Sequence, residues 1–398
     1  MVNIAVEGRQ KTALLEGSGQ GHAPEAPMIV RVARAYNVSP FRQMRETLSL
    51  RFGAQKLRPK DYYKYGLYDP AMPMPEKKQY VGNTGNATLN ARLSPPELIP
   101  TAAFVGNKAL YTALLKQMGL GTTDTQAVVM ARGTLGAWPV LRDAAALKSF
   151  LMQDAAYPIF GKPRHGSLSE GSVRIDGCKD GKVLLGNGES YDINAFCAEV
   201  LTKYAGGFLL QSALVPHAQM AAVTGQSIGC VRVVTVNDTG VPRALYAVWK
   251  IPSPQAMSDN FWQEGSMLAA VDLETGQVTG CVKGEGIDTV EITHHPETGE
   301  VIIGQCLPHW QAVKALATDA HALFPEFGVC GYDIAICDDG PKIIECNDNP
   351  FHTLYQIAHR RGALNSNFAP IWDAVAKRQK ERLARQKKTA GKKHRTTA

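Results

Sequence analysis

The sequence lacks three features that would assign it to an exported or membrane protein. It has no long apolar run, no basic segment followed by an apolar core near its start, and no CxxC pair. A membrane-spanning helix needs roughly 20 apolar residues, so we predict no membrane span and no secretion signal, and we expect a cytoplasmic protein. The eight cysteines are scattered through apolar segments, which favours buried free thiols over disulfides or a zinc site.

Motifs of nucleophilic catalysis are also missing. No Gly-x-Ser-x-Gly elbow occurs, and the scattered cysteines and histidines show no nucleophile–base spacing. A Walker A motif is absent as well, because the one lysine beside a Gly/Ser-rich loop precedes that loop instead of following it. These absences argue against a hydrolase that uses a covalent intermediate and against a P-loop NTPase.

Positive charge is concentrated at one end of the chain. The 398 residues carry a net charge of +7, but residues 377–398 hold ten Lys and Arg against one Glu, which leaves about −2 for the remainder. We therefore expect a basic, disordered tail that contacts polyanions weakly, and not a basic binding face on the fold. The length and the 44% hydrophobic content predict a soluble globular protein of two or three domains.

Residues 329–350 form the segment around which we organise the site. They predict two short strands, 332–337 and 342–346, joined by a turn at Asp338-Asp339-Gly340-Pro341. Asp333 lies at the start of the first strand, while Glu345 and Asn347 are two residues apart at the end of the second and share a face. Two carboxylates and an amide oxygen are typical of a Mg²⁺ site. The alternative is a solvated hairpin with a charged outer face.

Three basic residues are further candidates. Lys162 precedes the Gly/Ser-rich loop 163–171, whose backbone N–H groups are suited to phosphate, although a purely structural loop is the alternative. Lys108 begins a predicted helix and is otherwise an ordinary solvated lysine. Arg232 lies on the apolar strand 230–236, where it pairs with a protein carboxylate, a substrate carboxylate or a phosphate.

The order of these segments resembles the ATP-grasp superfamily, and most closely the proteins described as sugar-transfer associated. The resemblance covers about residues 58–370 and rests on GNKALYTALLKQMGL, YPIFGKPRHGSLSEGSVRI, GFLLQSALVPH, VRVVTV, SDNFWQEGS, HPETGEVIIG and GYDIAICDDGPKIIECNDNP. It implies an α+β ATP-grasp fold in which two α+β subdomains clasp ATP after a smaller N-terminal domain. We expect these segments: a flexible arm 1–28, an N-terminal domain 29–125, a small subdomain 126–214, a C-terminal subdomain 215–375 and the tail 376–398.

The resemblance also implies a role for each matching residue. It implies that Lys108 and Lys162 hold the ATP phosphates and that the loop 166–171 closes over them. It also implies that the hinge 211–214 meets the adenine edge. The implied cofactors are ATP and two Mg²⁺ ions, with Mn²⁺ as a substitute. The residues concerned are Lys108, Lys162, Gly166, Ser167, Ser169, Gly171, Gln211 and Leu214 for the nucleotide, Asp333, Glu345 and Asn347 for the metal, and Arg232, Lys250 and Asn260 for catalysis.

The implied reaction activates a carboxylate as an acyl phosphate and couples it to an amine, releasing ADP and phosphate. An ATP-grasp phosphotransferase, or a ligase with a non-amine acceptor, is the alternative enzyme. A polyanion-binding protein acting through its basic tail is the alternative outside enzymology. The implied partners are a small-molecule carboxylate and an amine, and a homodimer is left open.

Overall fold

A computed structural model describes residues 12–15, 26–53, 55–136, 138–166, 169–254, 256–257 and 263–396. The helices in these residues are α1 (Met28–Tyr36), α2 (Pro40–Phe52), α3 (Pro59–Lys64), α4 (Met74–Lys77), α5 (Asn83–Leu93), α6 (Ala102–Val105), α7 (Lys108–Gln117), α8 (Ala144–Ser149), α9 (Ile193–Lys203), α10 (Ala218–Thr224), α11 (Trp310–Ala322), α12 (Thr353–Ala358) and α13 (Ala369–Thr396). The strands are β1 (Thr125–Val129), β2 (Val140–Leu141), β3 (Ile159–Pro163), β4 (Val173–Lys179), β5 (Lys182–Leu185), β6 (Ser190–Asp192), β7 (Phe208–Ser212), β8 (Val231–Val236), β9 (Arg243–Ile251), β10 (Met267–Val271), β11 (Val278–Lys283), β12 (Val290–Glu291), β13 (Val329–Cys337) and β14 (Gly340–Asn347).

The chain divides into two compact units, and each contains one seven-stranded sheet. Unit 1 comprises residues 1–20, 123–213 and 255–258, and unit 2 comprises residues 21–122, 214–254 and 259–398. Helices and two separate sheets confirm the predicted α+β class. The division places residues 21–122 within unit 2 instead of in a compact unit of their own.

Unit 1 is built on the sheet ordered β2-β1-β7-β3-β4-β5-β6. Its core lies on the face covered by α8 and α9, where Phe196 and Val200 pack with Ile159, Phe208 and Leu210. Because side chains alternate along a strand, the even-numbered residues of β3 and the odd-numbered residues of β7 are on the opposite face. That opposite face carries Lys162 and Gln211.

Unit 2 is built on the antiparallel sheet ordered β12-β11-β10-β9-β8-β13-β14. One face packs Val231 and Val233 against α7, α10 and α11, and the other packs Val234 and Tyr246 with residues of α12, α13 and the N-terminal helices. A sheet buried on both faces favours nearly continuous apolar strands. Charged residues inside β8, β9 and β13 are therefore exceptions that require partners.

The two ends of the chain differ from expectation. Ala13 and Leu14 are buried in the core of unit 1, and Leu15 exchanges backbone hydrogen bonds with Gly171 and Ser172, so these residues are packed where a flexible arm was expected. Helix α13 runs to Thr396, whereas the sequence predicted disorder from residue 376. Lys, Arg, Gln and Ala are strong helix formers, and no proline interrupts the segment.

The cysteines are free thiols, as predicted. Six of the eight are buried, Cys178 is half-buried and Cys306 is exposed, so burial does not hold for all of them. Within the described residues, no helix combines the length and the apolarity that a membrane crossing requires.

Candidate functional site

A buried charged cluster lies on three adjacent strands of unit 2. Arg232 of β8 donates two hydrogen bonds to Asp333 of β13, from Nε to Oδ1 at 2.5 Å and from Nη2 to Oδ2 at 2.9 Å. Lys250 of β9 lies 3.1 Å from Asp333 Oδ2. We call Arg232, Lys250 and Asp333 the charged cluster; each is no more than 7% exposed.

Strand register explains why these three residues meet. Arg232 is directly opposite Asp333 on β13 and directly opposite Val248 on β9. Directly paired residues of antiparallel strands share a face, and Lys250 is two residues from Val248, so it shares that face too. Among the described residues Arg232 therefore pairs with a protein carboxylate, the first of the alternatives that the sequence left open.

The electrostatics of the charged cluster are dominated by its two cations. Burial acts to raise the pKa of Asp333, but the positive charges of Arg232 and Lys250 outweigh it and hold that pKa well below its ordinary value. Asp333 therefore stays ionised through the whole physiological range. Removing the charge of either the carboxylate or one of its cations should destabilise the fold, because a buried charge is then left uncompensated.

Glu345 extends this polar face to the next strand. It is opposite Asp333 in the β13–β14 pairing, and its Oε1 lies 3.6 Å from Nζ of Lys108. Lys108 is the first residue of α7, whose N-terminus is capped by Asn107 through a hydrogen bond from the Leu110 N–H. About a third of the Glu345 side chain is exposed, so this carboxylate is open to a ligand whereas Asp333 is enclosed.

The residues present fit a divalent cation. Asn347 follows Glu345 on the same face of β14, and its side-chain nitrogen is buried without a hydrogen-bond partner among the described residues. That nitrogen is a hydrogen-bond donor, so only the amide oxygen of Asn347 counts as a candidate metal ligand. Carboxylate and amide oxygens are the ligands that Mg²⁺ prefers. Among the described residues no three His, Cys, Asp or Glu side chains form a metal group by themselves, and here the third member is an asparagine.

A hydrogen-bond network fixes the loop that follows these candidate ligands. Helix α5 supplies Asn86, which accepts from the His352 N–H, and Asn90, which donates to the carbonyl of Pro350. The His352 ring bonds to Asn90 Oδ1 and to the Tyr246 hydroxyl, and burial together with the charge of Arg232 lowers its pKa to about 3. The sequence did not predict Asn86, Asn90 or His352 as site residues. The only local signal for the two asparagines is their spacing of i and i+4 on one helix.

Two candidate nucleotide-binding residues of unit 1, Lys162 for phosphate and Gln211 for the adenine edge, lie on one strand pair. Lys162 of β3 is 5% exposed, and Gln211 of β7 is 1% exposed and donates to Thr125 Oγ1 at 3.0 Å. Lys162 pairs with Leu209, two residues from Gln211, so both polar side chains share the sheet face opposite the apolar core.

The Gly/Ser-rich loop has the backbone that its composition predicts. Gly166, Ser169 and Gly171 have φ angles of 143°, 58° and 75°. A Cβ on Gly171 would stand 2.2 Å from the Tyr204 hydroxyl, so only glycine fits there. Ser167 of this loop and the catalytic candidate Asn260 lie outside the described residues.

The predicted site residues fall into two sets. Unit 2 contains the charged cluster, Lys108, Glu345, Asn347 and the half-buried Leu214, while unit 1 contains Lys162, Gln211 and the described part of the loop 166–171. The boundary between the units falls between Ala213 and Leu214, inside the predicted hinge. Their assigned roles remain predictions.

Comparison with known families identifies the chain. The family described as sugar-transfer associated ATP-grasp matches residues 86–369, most of the chain. The chain belongs to the sugar-transfer associated ATP-grasp family. The match begins within α5, includes the charged cluster and Glu345-x-Asn347, and confirms the resemblance and the ATP-grasp fold expected from the sequence.

Solved structures similar to this ATP-grasp protein are distant. One is an L-amino acid ligase from Bacillus licheniformis, with 15% identity, a TM-score of 0.40, and coverage of 69% of this chain and 48% of that chain. Another is the D-alanine-D-alanine ligase from Coxiella burnetii, with 11% identity, a TM-score of 0.45, and coverage of 79% and 70%. This chain thus spans about half the length of the L-amino acid ligase. No curated protein matches the sequence.

Proposed function

We propose that this ATP-grasp protein is an ATP-dependent ligase that activates a carboxylate as an acyl phosphate and couples it to an amine. The observation that carries the proposal is the single sheet face shared by Arg232, Asp333, Lys250 and Glu345, in a chain of this family. Such a face offers cations for an anionic substrate and oxygen ligands for a metal.

In this proposal Asp333, Glu345 and Asn347 hold Mg²⁺, and Mn²⁺ is a substitute. The ion would neutralise charge on the transferred phosphoryl group. Arg232 and Lys250 keep Asp333 ionised and fixed in position, and Lys250 offers a charge to the acyl carboxylate. Lys162 and the loop 166–171 bind phosphate oxygens, and Gln211 and Leu214 meet the adenine edge.

The proposed reaction needs no protein nucleophile. A carboxylate oxygen attacks the γ-phosphorus of ATP, the bond to the bridging oxygen breaks, and ADP leaves. The amine then adds to the acyl carbon and phosphate leaves with the original carboxylate oxygen, while the amine loses a proton. Positioning and electrostatic stabilisation supply the catalysis.

The test is a screen of acid and amine pairs for Mg²⁺-dependent ADP release, with Glu345→Gln as the blank. A carboxylate labelled with ¹⁸O should transfer one label to phosphate in each turnover. ADP release that does not depend on any amine would favour the phosphotransferase or the non-amine acceptor instead. Label that stays in the acid would refute the acyl phosphate.

A further inference from the structure

A cavity in unit 2 is lined by none of the residues assigned to ATP, metal or catalysis. Its volume is about 320 Å³, and its wall comes from α1, from α3 to Tyr80, from residues 286–291 and from α12. Glu291 of this wall is on β12, whereas Glu345 is on β14, the opposite edge of the same sheet. Six strand spacings separate these edges, about 29 Å. The cavity therefore does not belong to the proposed phosphoryl-transfer site.

Four tyrosines give the cavity an aromatic wall. Tyr36 contacts Tyr68 edge to face with 4.7 Å between ring centroids, and Tyr65 lies 5.5 Å from Tyr80. Tyr65, Tyr68 and Tyr80 are buried, whereas Tyr36 is 39% exposed at the mouth. Aromatic faces carry negative potential and attract cations, most strongly where water is excluded.

The charges around the wall add to this potential. Both cations are paired, because Lys64 lies 2.9 Å from Glu285 and Arg360 donates to Glu291. Asp69 accepts a hydrogen bond from the Ala71 N–H, and the Glu76 carboxylate makes no hydrogen bond or ion pair with any described residue. The residues that line the cavity thus include three carboxylates and two cations, which leaves an excess of one negative charge.

The backbone of the wall has two special positions, Gly286 and Arg360. A Cβ on Gly286 would stand 2.5 Å from the carbonyl oxygen of Tyr63, so glycine is required for this close approach. Arg360 has a φ of 49°, which is unfavourable for a residue with a side chain, and its guanidinium donates to Glu291. Binding to a preformed cavity costs less conformational entropy than binding to a mobile one.

We propose that this cavity binds a small organic ammonium ion, with the tyrosine faces around its apolar substituents and Glu76 as its counter-charge. The cavity volume is at the lower end of the range for small-molecule sites, which limits the ligand to a compact amine. The proposal is independent of the ligase chemistry, since it uses none of the residues assigned to ATP, metal or catalysis.

The test is titration of the full-length protein with choline, compared with its neutral isostere 3,3-dimethylbutan-1-ol and with acetate. Isothermal calorimetry and saturation-transfer NMR both report binding without any activity assay. We expect choline to bind at least about tenfold more tightly than the isostere, and acetate not to bind. Equal affinity for choline and the isostere, or no choline binding at tens of millimolar, would overturn the proposal.

Variants locate the binding to this cavity. Glu76→Gln keeps the shape and removes the charge, so choline affinity should fall at least about fivefold with an unchanged melting temperature. Tyr36→Leu should weaken choline but not the isostere. The control is Glu274→Gln on the surface, which should bind choline like the parent protein. Unchanged choline affinity in both cavity variants would refute the proposal that this cavity binds the ammonium ion.

Discussion

Arg232 and Asp333 form a bidentate, buried ion pair across neighbouring strands, with N–O distances of 2.5 and 2.9 Å. The pair sits in a sheet whose other central positions are almost all apolar. The chain therefore keeps an ion pair that is costly to desolvate within a buried, mostly apolar part of the sheet, beside Glu345 and Asn347. In the proposed ligase, the pair supplies a fixed carboxylate at the metal site.

Asp333→Asn should destabilise the protein more than any change at Glu345. The substitution keeps the shape but leaves Arg232 and Lys250 buried without a counter-charge, so the free energy of unfolding should fall by about 3–5 kcal/mol. Urea denaturation followed by circular dichroism measures this. Glu345→Gln is the matched comparison, because Glu345 is partly exposed; equal losses in both variants would contradict the assignment of Asp333 as the enclosed member.

Glu345→Gln should abolish Mg²⁺-dependent ADP formation while leaving the melting temperature within a few degrees of the parent. Removing the charge weakens an oxygen ligand for Mg²⁺ without emptying the space. The assay is coupled ADP release with the acid and amine pair found by the screen. Asp339→Asn on the turn of the same hairpin is the control and should retain activity; near-normal turnover in Glu345→Gln would reject the metal assignment.

Lys162→Met should weaken ATP binding without altering the fold. A charge-assisted hydrogen bond to phosphate contributes about 1.5–3 kcal/mol, so the dissociation constant should rise about 10- to 100-fold. Calorimetric titration with a non-hydrolysable ATP analogue measures the change. Lys182→Met, at an exposed position of the same sheet, should bind like the parent. A parental affinity in Lys162→Met would mean that this lysine is structural.

His321 should make stability fall as the pH falls from 6.5 towards 4. Burial lowers its pKa to about 4 from an ordinary value of 6.5, so between these values the unfolded chain binds more protons than the folded protein. The stabilising contribution is thus complete above pH 6.5 and decreases by about 3 kcal/mol at the low end. Its ring contacts Thr235 and the carbonyl of Phe327.

Urea midpoints of the parent and His321→Gln between pH 7.5 and 4.5 isolate this contribution. The variant should lose less stability than the parent over the acidic half of the range. His294→Gln at an exposed position should follow the parent curve. Parallel curves for the parent and His321→Gln would show that His321 does not titrate between these values.

Removing residues 387–398 should reduce polyanion binding and leave ATP turnover unchanged. The segment contains five Lys and Arg, and the cut leaves intact Gln379, which donates to the Glu326 carbonyl, and Arg382, which donates to that of Pro325. Heparin affinity should fall at least about tenfold and depend less on salt. Retained heparin affinity would place the basic surface elsewhere on the fold.

The local elements of the site follow from the sequence alone. The hairpin of β13 and β14 and the capped helix that starts at Lys108 follow from turn residues, capping residues and alternation. Order along the chain also identified the family, because the motifs are local in sequence. The basic tail is helical although it lacks an apolar face, because its Lys, Arg, Gln and Ala residues favour a helix.

Only the tertiary structure decided which charges pair. Arg232, Lys250 and Asp333 lie on three strands far apart in sequence, and their contact depends on the register between β8, β9 and β13, which no local pattern encodes. The same is true of α5, whose asparagines bind a loop that lies more than two hundred residues away. Register and packing are non-local, whereas propensity and capping are local, and this difference separates what the sequence predicts from what the fold adds.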